Sequence, residues 1–277
     1  MLLRLTKFIV LAVLTFAVSQ AGADLDETYR ISLGVSVTTF DTDATLDSRN
    51  DEIQEEIDFE DDLGFNSEVR AGWLRGFWRF AQNHRLRLTY TPIRRSAGAV
   101  AKRDLEVGDY IIKSGASIQS NFKSDIFDIE YIYSLFNRPN LEIDISAGLY
   151  WLKNSSEITA AGDVAIEGSD ETEFRSAFKT KQTVHAPLPL FGLAASYEVT
   201  PRWRIHGGAR YMDASIDNIS GRIISAGLGA NYYFTNHFGI GISVTNFDLK
   251  VDRTGVVFKN SLAWSHQGAQ IYLITKF

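Results

Sequence analysis

The chain has 277 residues, 45% of them hydrophobic, with a formal net charge of −6 and no cysteine. The lack of cysteine excludes a disulfide framework, a thiol nucleophile and a thiolate metal site, and the acidic balance argues against general nucleic-acid binding. The hydrophobic content is low for a bundle of membrane helices but suits a structure in which only every second residue meets lipid.

Residues 1–23 have the form of a signal peptide. Arg4 and Lys7 supply the positive start, Phe8 to Val18 is almost wholly apolar, and Ala21-Gly22-Ala23 fits the small-x-small cleavage pattern. The apolar run is short for a membrane anchor, and no other stretch reaches about 18 uninterrupted apolar residues. The expected mature chain is a single domain, residues 24–277.

Strict alternation predicts a first strand over Tyr29 to Thr39, with Tyr29, Ile31, Leu33, Val35 and Val37 on one face and Arg30, Ser32, Gly34 and Ser36 on the other. Residues 40–65 read as an acidic surface loop. Asp41, Asp43 and Glu52 fall at EF-hand-like offsets, but Leu46 stands where that loop needs glycine. A solvated loop is therefore expected, with an adhesin or cation-binding role for residues 41–62 as the sharper alternative.

A second strand, Glu68 to Phe80, places Leu74, Gly76, Trp78 and Phe80 on one face and Trp73, Arg75, Phe77 and Arg79 on the other. A tight turn at Gln82-Asn83-His84 leads to a third strand, with Leu86, Leu88 and Tyr90 opposed to Arg85, Arg87 and Thr89. Residues 97–109 read as a loop. Ile111 to Leu135 reads as one long strand with no strong break, long enough to hide a further hairpin. In it Phe127, Ile129, Tyr131, Tyr133 and Leu135 alternate with Asp128, Glu130, Ile132 and Ser134.

Asn137-Arg138-Pro139-Asn140 is a turn. The fifth strand sets Leu141, Ile143, Ile145, Ala147, Leu149 and Trp151 against Glu142, Asp144, Ser146, Gly148 and Tyr150. Residues 153–184 read as a second long polar loop, and Pro187 and Pro189 as a strand entrance. Four more strands follow, carrying the outward sets Phe191 to Val199, Trp203 to Tyr211, Ile224 to Phe234 and Phe238 to Val244. Loops are expected at 213–220 and 248–260. The last strand, Gln270 to Phe277, has Phe277, Thr275, Leu273, Ile271 and Ala269 on one face and Lys276, Ile274, Tyr272 and Gln270 on the other.

A terminal strand of alternating residues ending in Phe277 resembles the insertion signal of outer-membrane β-barrels. Two further features strengthen the resemblance. Tight turns near 82, 138, 201 and 236 alternate with longer connections near 52, 103, 169, 217 and 255, as short periplasmic turns alternate with long extracellular loops in such barrels. Aromatics gather beside the tight turns, at Trp78, Phe80, Tyr131, Tyr133, Tyr197, Trp203, Tyr232, Phe234 and Phe238. The mature chain is similar to small OmpA- or OmpW-like barrels in general. This implies an all-β, antiparallel transmembrane barrel of about 10 strands (8–12 allowed) in the cell outer membrane. Its implied partners are outer-membrane lipid and lipopolysaccharide, with the barrel-assembly machinery during biogenesis.

In such a barrel the second face of each strand lines the lumen. It would bring Arg30, Arg75, Arg79 and Arg87 toward Asp128, Glu130, Glu142, Asp144 and Glu198, with Arg204, His206, Arg210 and Lys276 beyond. Buried charges need partners, so an ion-pair network and a narrow or occluded lumen are expected. The competing reading is an ion-selective eyelet between the two charged walls. An outer-membrane hydrolase is a further alternative, because Ser196 falls opposite His206 and Glu198 opposite Arg204 in the hairpin centred on Pro201. No Gly-rich phosphate loop or His/Asp metal cluster is present, and no cofactor or metal is expected. The leading expectation is a non-enzymatic envelope protein with a structural, surface or narrow porin-like role.

Overall fold

The computed structural model describes residues 27–47, 54–107, 110–166, 172–216, 219–254 and 259–277. Residues 1–23, expected to form a signal peptide, lie outside them. Ten long strands form the wall: β1 (Tyr29–Asp47), β3 (Glu68–Ala81), β4 (His84–Val100), β7 (Ser117–Arg138), β8 (Leu141–Ile166), β9 (Thr172–Thr200), β10 (Trp203–Ile216), β11 (Ile219–Tyr233), β12 (Phe238–Thr254) and β13 (Lys259–Lys276). Three short strands, β2 (Gln54–Asp58), β5 (Leu105–Val107) and β6 (Tyr110–Ile112), flank them at one end.

Every neighbouring pair is antiparallel, and β1 pairs with both β3 and β13, so the sheet closes on itself. Closure leaves no edge in the belt that lipid would cover, which is the condition for strands to cross a membrane. The closing seam runs from Arg30 opposite Lys276 to Leu46 opposite Asn260. Phe277 completes it through its backbone, its N–H donating to the Tyr29 carbonyl at 2.9 Å and its own carbonyl accepting from Thr28 and Tyr29.

One end has tight turns only, between β3 and β4, β7 and β8, β9 and β10, and β11 and β12. From these turns upward the outward side chains are apolar. Leu33, Leu74, Leu88, Ile129, Leu193, Leu228, Ile242 and Leu273 are between 44% and 63% exposed, although they are large hydrophobes. The belt covers about eight to ten residues per strand. At roughly 3.3 Å per residue and a tilt near 40° it stands about 20–25 Å tall, the height of an outer-membrane hydrocarbon layer.

Above the belt the pattern inverts. Outward positions become polar, as at Asp41, Arg94, Lys123, Lys153, Asp213 and Asp248. Inward positions become apolar: Phe40, Ile93, Phe122, Leu152, Leu188, Phe247, Leu249 and Trp264 are all buried and pack into one core. The wall is membrane-like below this level and resembles a water-soluble β-protein above it.

The inversion corrects several sequence-based expectations. Residues 153–184 are not a loop: β8 and β9 continue as a tall hairpin and pair to Ala165 opposite Thr172. Pro187 and Pro189 sit within β9, just where its ladder with β10 stops at Phe191 opposite Tyr211, so the missing N–H groups coincide with lost pairing. The stretch 97–109 contains the end of β4 together with β5, and strands likewise extend into the expected loops at 213–220 and 248–260. The long strand from Ile111 is broken: β6 ends at Ile112, and a turn through Gly115, at φ 92°, starts β7. That left-handed conformation is open to glycine at no steric cost.

The acidic segment is also partly strand. Residues 41–47 belong to β1 and residues 54–58 to β2, while 48–53 lie outside the described residues. After β2 the chain turns inward, burying Phe59, Leu63 and Phe65.

Candidate functional site

The inward face of the lower barrel is a layered set of ion pairs, and strand register explains its composition. Arg79 lies directly opposite Arg85 across β3 and β4. Like charges in that position repel, so an anion must bridge them. Glu142, on β8, does so: Oε1 accepts from Arg79 Nη2 at 3.0 Å and Oε2 from Arg85 Nη1 at 2.5 Å. Arg85 also binds Asp144 and the Ser134 hydroxyl. On the same floor Arg204 donates twice to Glu27, at 2.8 and 2.9 Å, and Arg30 donates once, at 2.7 Å. Burial alone would raise the Glu27 pKa, but Arg204 and Arg30 outweigh it and hold the carboxyl well below its usual range. Lys276 places its ammonium 4.7 Å above the Tyr233 ring.

A second layer lies above. Arg87 is directly opposite Glu130 and pairs with it, and Arg210 reaches from β10 to Asp128. Gly148 is the cross-strand neighbour of Glu130, and a Cβ there would collide with the Ile129 carbonyl, so glycine lets the strands carry this pair. Arg75 donates to Thr89 Oγ1 at 3.3 Å and stands 4.8 Å over the Trp73 ring.

Of the predicted lumen residues, Arg30, Arg79, Arg87, Asp128, Glu130, Glu142, Asp144, Arg204 and Arg210 enter ion pairs, and Glu27 and Arg85 join them. Glu27 precedes the first strand, where no alternation could assign it a face, yet it anchors two arginines. Arg85 has the inward phase of β4 but binds more carboxylates than its neighbours. Glu198 lies opposite Arg204 in register and is half-buried, while the carboxylate that Arg204 grips twice is Glu27.

Between the layers lies a cavity of about 220 Å³ lined by Arg30, Arg75, Arg87, His206, Arg210 and Tyr272, among others. It leads to a second space of about 150 Å³ that shares Arg75, Asp128 and Arg210. Phe40, Tyr150 and Phe247 line that space, Trp264 packs on Phe40 and Phe247, and Phe122 packs on Trp264; each is at most 4% exposed. The floor residues Arg85, Glu142, Arg204 and Lys276 are equally buried. Buried ion pairs thus fill the barrel below these spaces, and buried aromatics pack above them.

Ser196 and His206 are cross-strand neighbours, but His206 Nε2 lies 3.3 Å from the Tyr272 hydroxyl, and no hydrogen bond joins it to Ser196 among the described residues. In the acidic segment Glu60 pairs with Arg95 and Asp62 with Arg103, at 2.6 Å in the latter case. Phe277 turns its ring outward, 62% exposed and stacked on His237 at 5.5 Å.

In fold the chain is similar to the outer membrane protease OmpT of Escherichia coli, with a TM-score of 0.56 at 12% identity over 93% of this chain and 99% of that one. The fold is that of an outer-membrane β-barrel. Two other barrels align less well: OprG of Pseudomonas aeruginosa, at 12% identity and a TM-score of 0.37 over 91% of this chain and 96% of that one, and Ail of Yersinia pestis, at 9% and 0.30 over 89% and 99%. No protein-family model and no curated protein sequence matches this barrel. At these identities the likeness concerns the fold and carries no chemistry across.

Proposed function

We propose that this barrel is an integral protein of the outer membrane whose sealed, non-enzymatic wall acts as a scaffold for the structure it raises above the bilayer. The apolar belt supports the location. The observation that carries the scaffold reading is the packing of buried ion pairs below the central cavity and of buried aromatics above it. A solute path would have to disrupt both. The Ser196–His206 pair lacks the hydrogen bond that would make serine a nucleophile, which favours the non-enzymatic reading over the hydrolase.

Single-channel recording of the folded protein in a planar bilayer tests the proposal, with folding checked by heat-modifiable gel migration. The expected result is no discrete conductance. Regular steps that change when Arg75, Arg79, Glu130 or Asp144 is neutralised would replace the scaffold with a narrow channel.

A further inference from the structure

The ion pairs inside the barrel do not cover all of its positive charge. Among the described residues, six arginines line the cavity of about 220 Å³, against three carboxylates, Asp128, Glu142 and Asp144. Arg85 takes Glu142 and Asp144, and on the same floor Arg204 and Arg30 share Glu27. In the layer above, Glu130 pairs with Arg87 and Asp128 with Arg210. Arg75 is left without a carboxylate partner among the described residues.

The Arg75 guanidinium is held from two sides. The Thr89 hydroxyl, directly opposite in register, accepts from its Nε at 3.3 Å, and the group lies 4.8 Å over the Trp73 ring. Its two terminal nitrogens have no acceptor among the described residues, and Arg75 lines both internal spaces. Around the same cavity Arg30, Arg87 and Arg210 each reach a carboxylate through one terminal nitrogen, Nη1, Nη2 and Nη1 respectively, which leaves the other uncommitted. A guanidinium enclosed by a lipid-facing wall is costly without an anion, because bulk water does not solvate it. Four guanidiniums around one space need acceptors pointing in several directions. Chloride is a single centre, and a carboxylate has two oxygens in one plane. A tetrahedral oxyanion has four. At about 30 Å³ for each water, the cavity has room for such an ion with part of its hydration shell.

We propose that Arg30, Arg75, Arg87 and Arg210 bind a small tetrahedral oxyanion, inorganic phosphate or sulfate, inside the barrel. The ion neutralises Arg75 and ties β1, β3, β4 and β10 together across the lumen. The inference goes beyond the scaffold reading and rests on it in one respect: an enclosed ion leaves slowly.

The test is urea unfolding of the full folded chain in lipid vesicles at increasing sodium phosphate, with sodium chloride holding the ionic strength constant. The wild-type midpoint should rise with the logarithm of phosphate concentration, as for a ligand that binds only the folded state. Sulfate run in parallel separates the two ions by which of them raises the midpoint. R75M should lose the rise, and without either ion it should be at least as stable as wild type, since it removes a charge that lacks a partner. The variant also controls for the general stabilisation that phosphate and sulfate give by exclusion from protein surfaces. A wild-type midpoint that is the same in phosphate, sulfate and chloride overturns the proposal, and so does an equal rise in R75M. If R75M fails to fold, judged by its heat-modifiable band, the wild-type series decides. A second measurement separates this site from the enclosed lumen. After refolding with radiolabelled phosphate or sulfate and rapid desalting, wild type should retain label at least about tenfold above R75M. A rise at equilibrium with no retained label keeps the site and overturns the enclosure instead.

Discussion

Glu27 and Arg204, 177 residues apart, are joined across the floor of the barrel by two charge-assisted hydrogen bonds of 2.8 and 2.9 Å. The pair ties the segment before the first strand to the wall formed by β10. Glu27→Gln should cost about 3–5 kcal/mol of stability, because it removes the negative charge and one of the two acceptor oxygens from a guanidinium only 2% exposed. E27Q/R204M should lose less than E27Q alone. Urea unfolding from lipid vesicles, followed by tryptophan fluorescence, measures both.

The same carboxyl gives a pH dependence with a definite sign. Its folded pKa lies below the ordinary value of 4.5, since Arg204 and Arg30 outweigh the opposing effect of burial. Its contribution is therefore complete above pH 4.5 and declines as pH falls from there toward the folded value. The stability difference between wild type and E27Q should be constant from neutral pH to about 5 and shrink in stronger acid. A difference that grows on acidification would contradict the pairing.

Glu142 holds two arginines that register forces together. Glu142→Ala should destabilise the barrel by about 3–5 kcal/mol, and Arg79→Ala should cost less, because Arg85 then keeps its carboxylates. Equilibrium refolding of the two variants gives the order.

Gly241 faces Tyr272 in register, and a Cβ at this glycine would fall on the tyrosine ring. Gly241→Val should cost about 1–3 kcal/mol and displace the Tyr272 hydroxyl from Asn231, to which it donates at 2.8 Å. Recovery of stability by a second change, Tyr272→Ala, would confirm the contact in a double-mutant cycle.

The roof can be tested separately from the floor. Trp264 is 2% exposed and touches Phe40, Phe122 and Phe247. Trp264→Ala should cost about 3–5 kcal/mol and remove a blue-shifted component of the emission. If sealing depends on this core, the variant should also admit small ions in the bilayer recording.

Within the belt nearly every facing was legible in the sequence. Lipid imposes apolar residues on one side of each strand and the lumen imposes polar ones on the other, so Leu33 and Ser32, or Leu273 and Tyr272, separate cleanly. Above the belt the two solvents change places. Lys153 outside and Leu152 inside form a valid strand in the opposite phase, and a reading that looks for apolar residues outward sees only a polar loop. That is why the tops of β8 and β9 were missed. Glu27 was missed for another reason: it lies ahead of the first strand, and what places it is the three-dimensional convergence of Arg30 and Arg204.

The seam between β1 and β13 has a temporal meaning as well. Every other contact in the wall joins strands that are neighbours along the chain, apart from the small excursions at β2, β5 and β6. Those hairpins can form locally and early, since closing short loops costs little entropy. The seam alone joins the first wall strand to the last, Arg30 to Lys276, so the wall is sealed only when β13 has paired with β1. A polypeptide lacking its last strand would be an open curved sheet with two raw edges, the kind of intermediate that aggregates unless it is held. Completion is therefore a single late event, the pairing of β13 with β1.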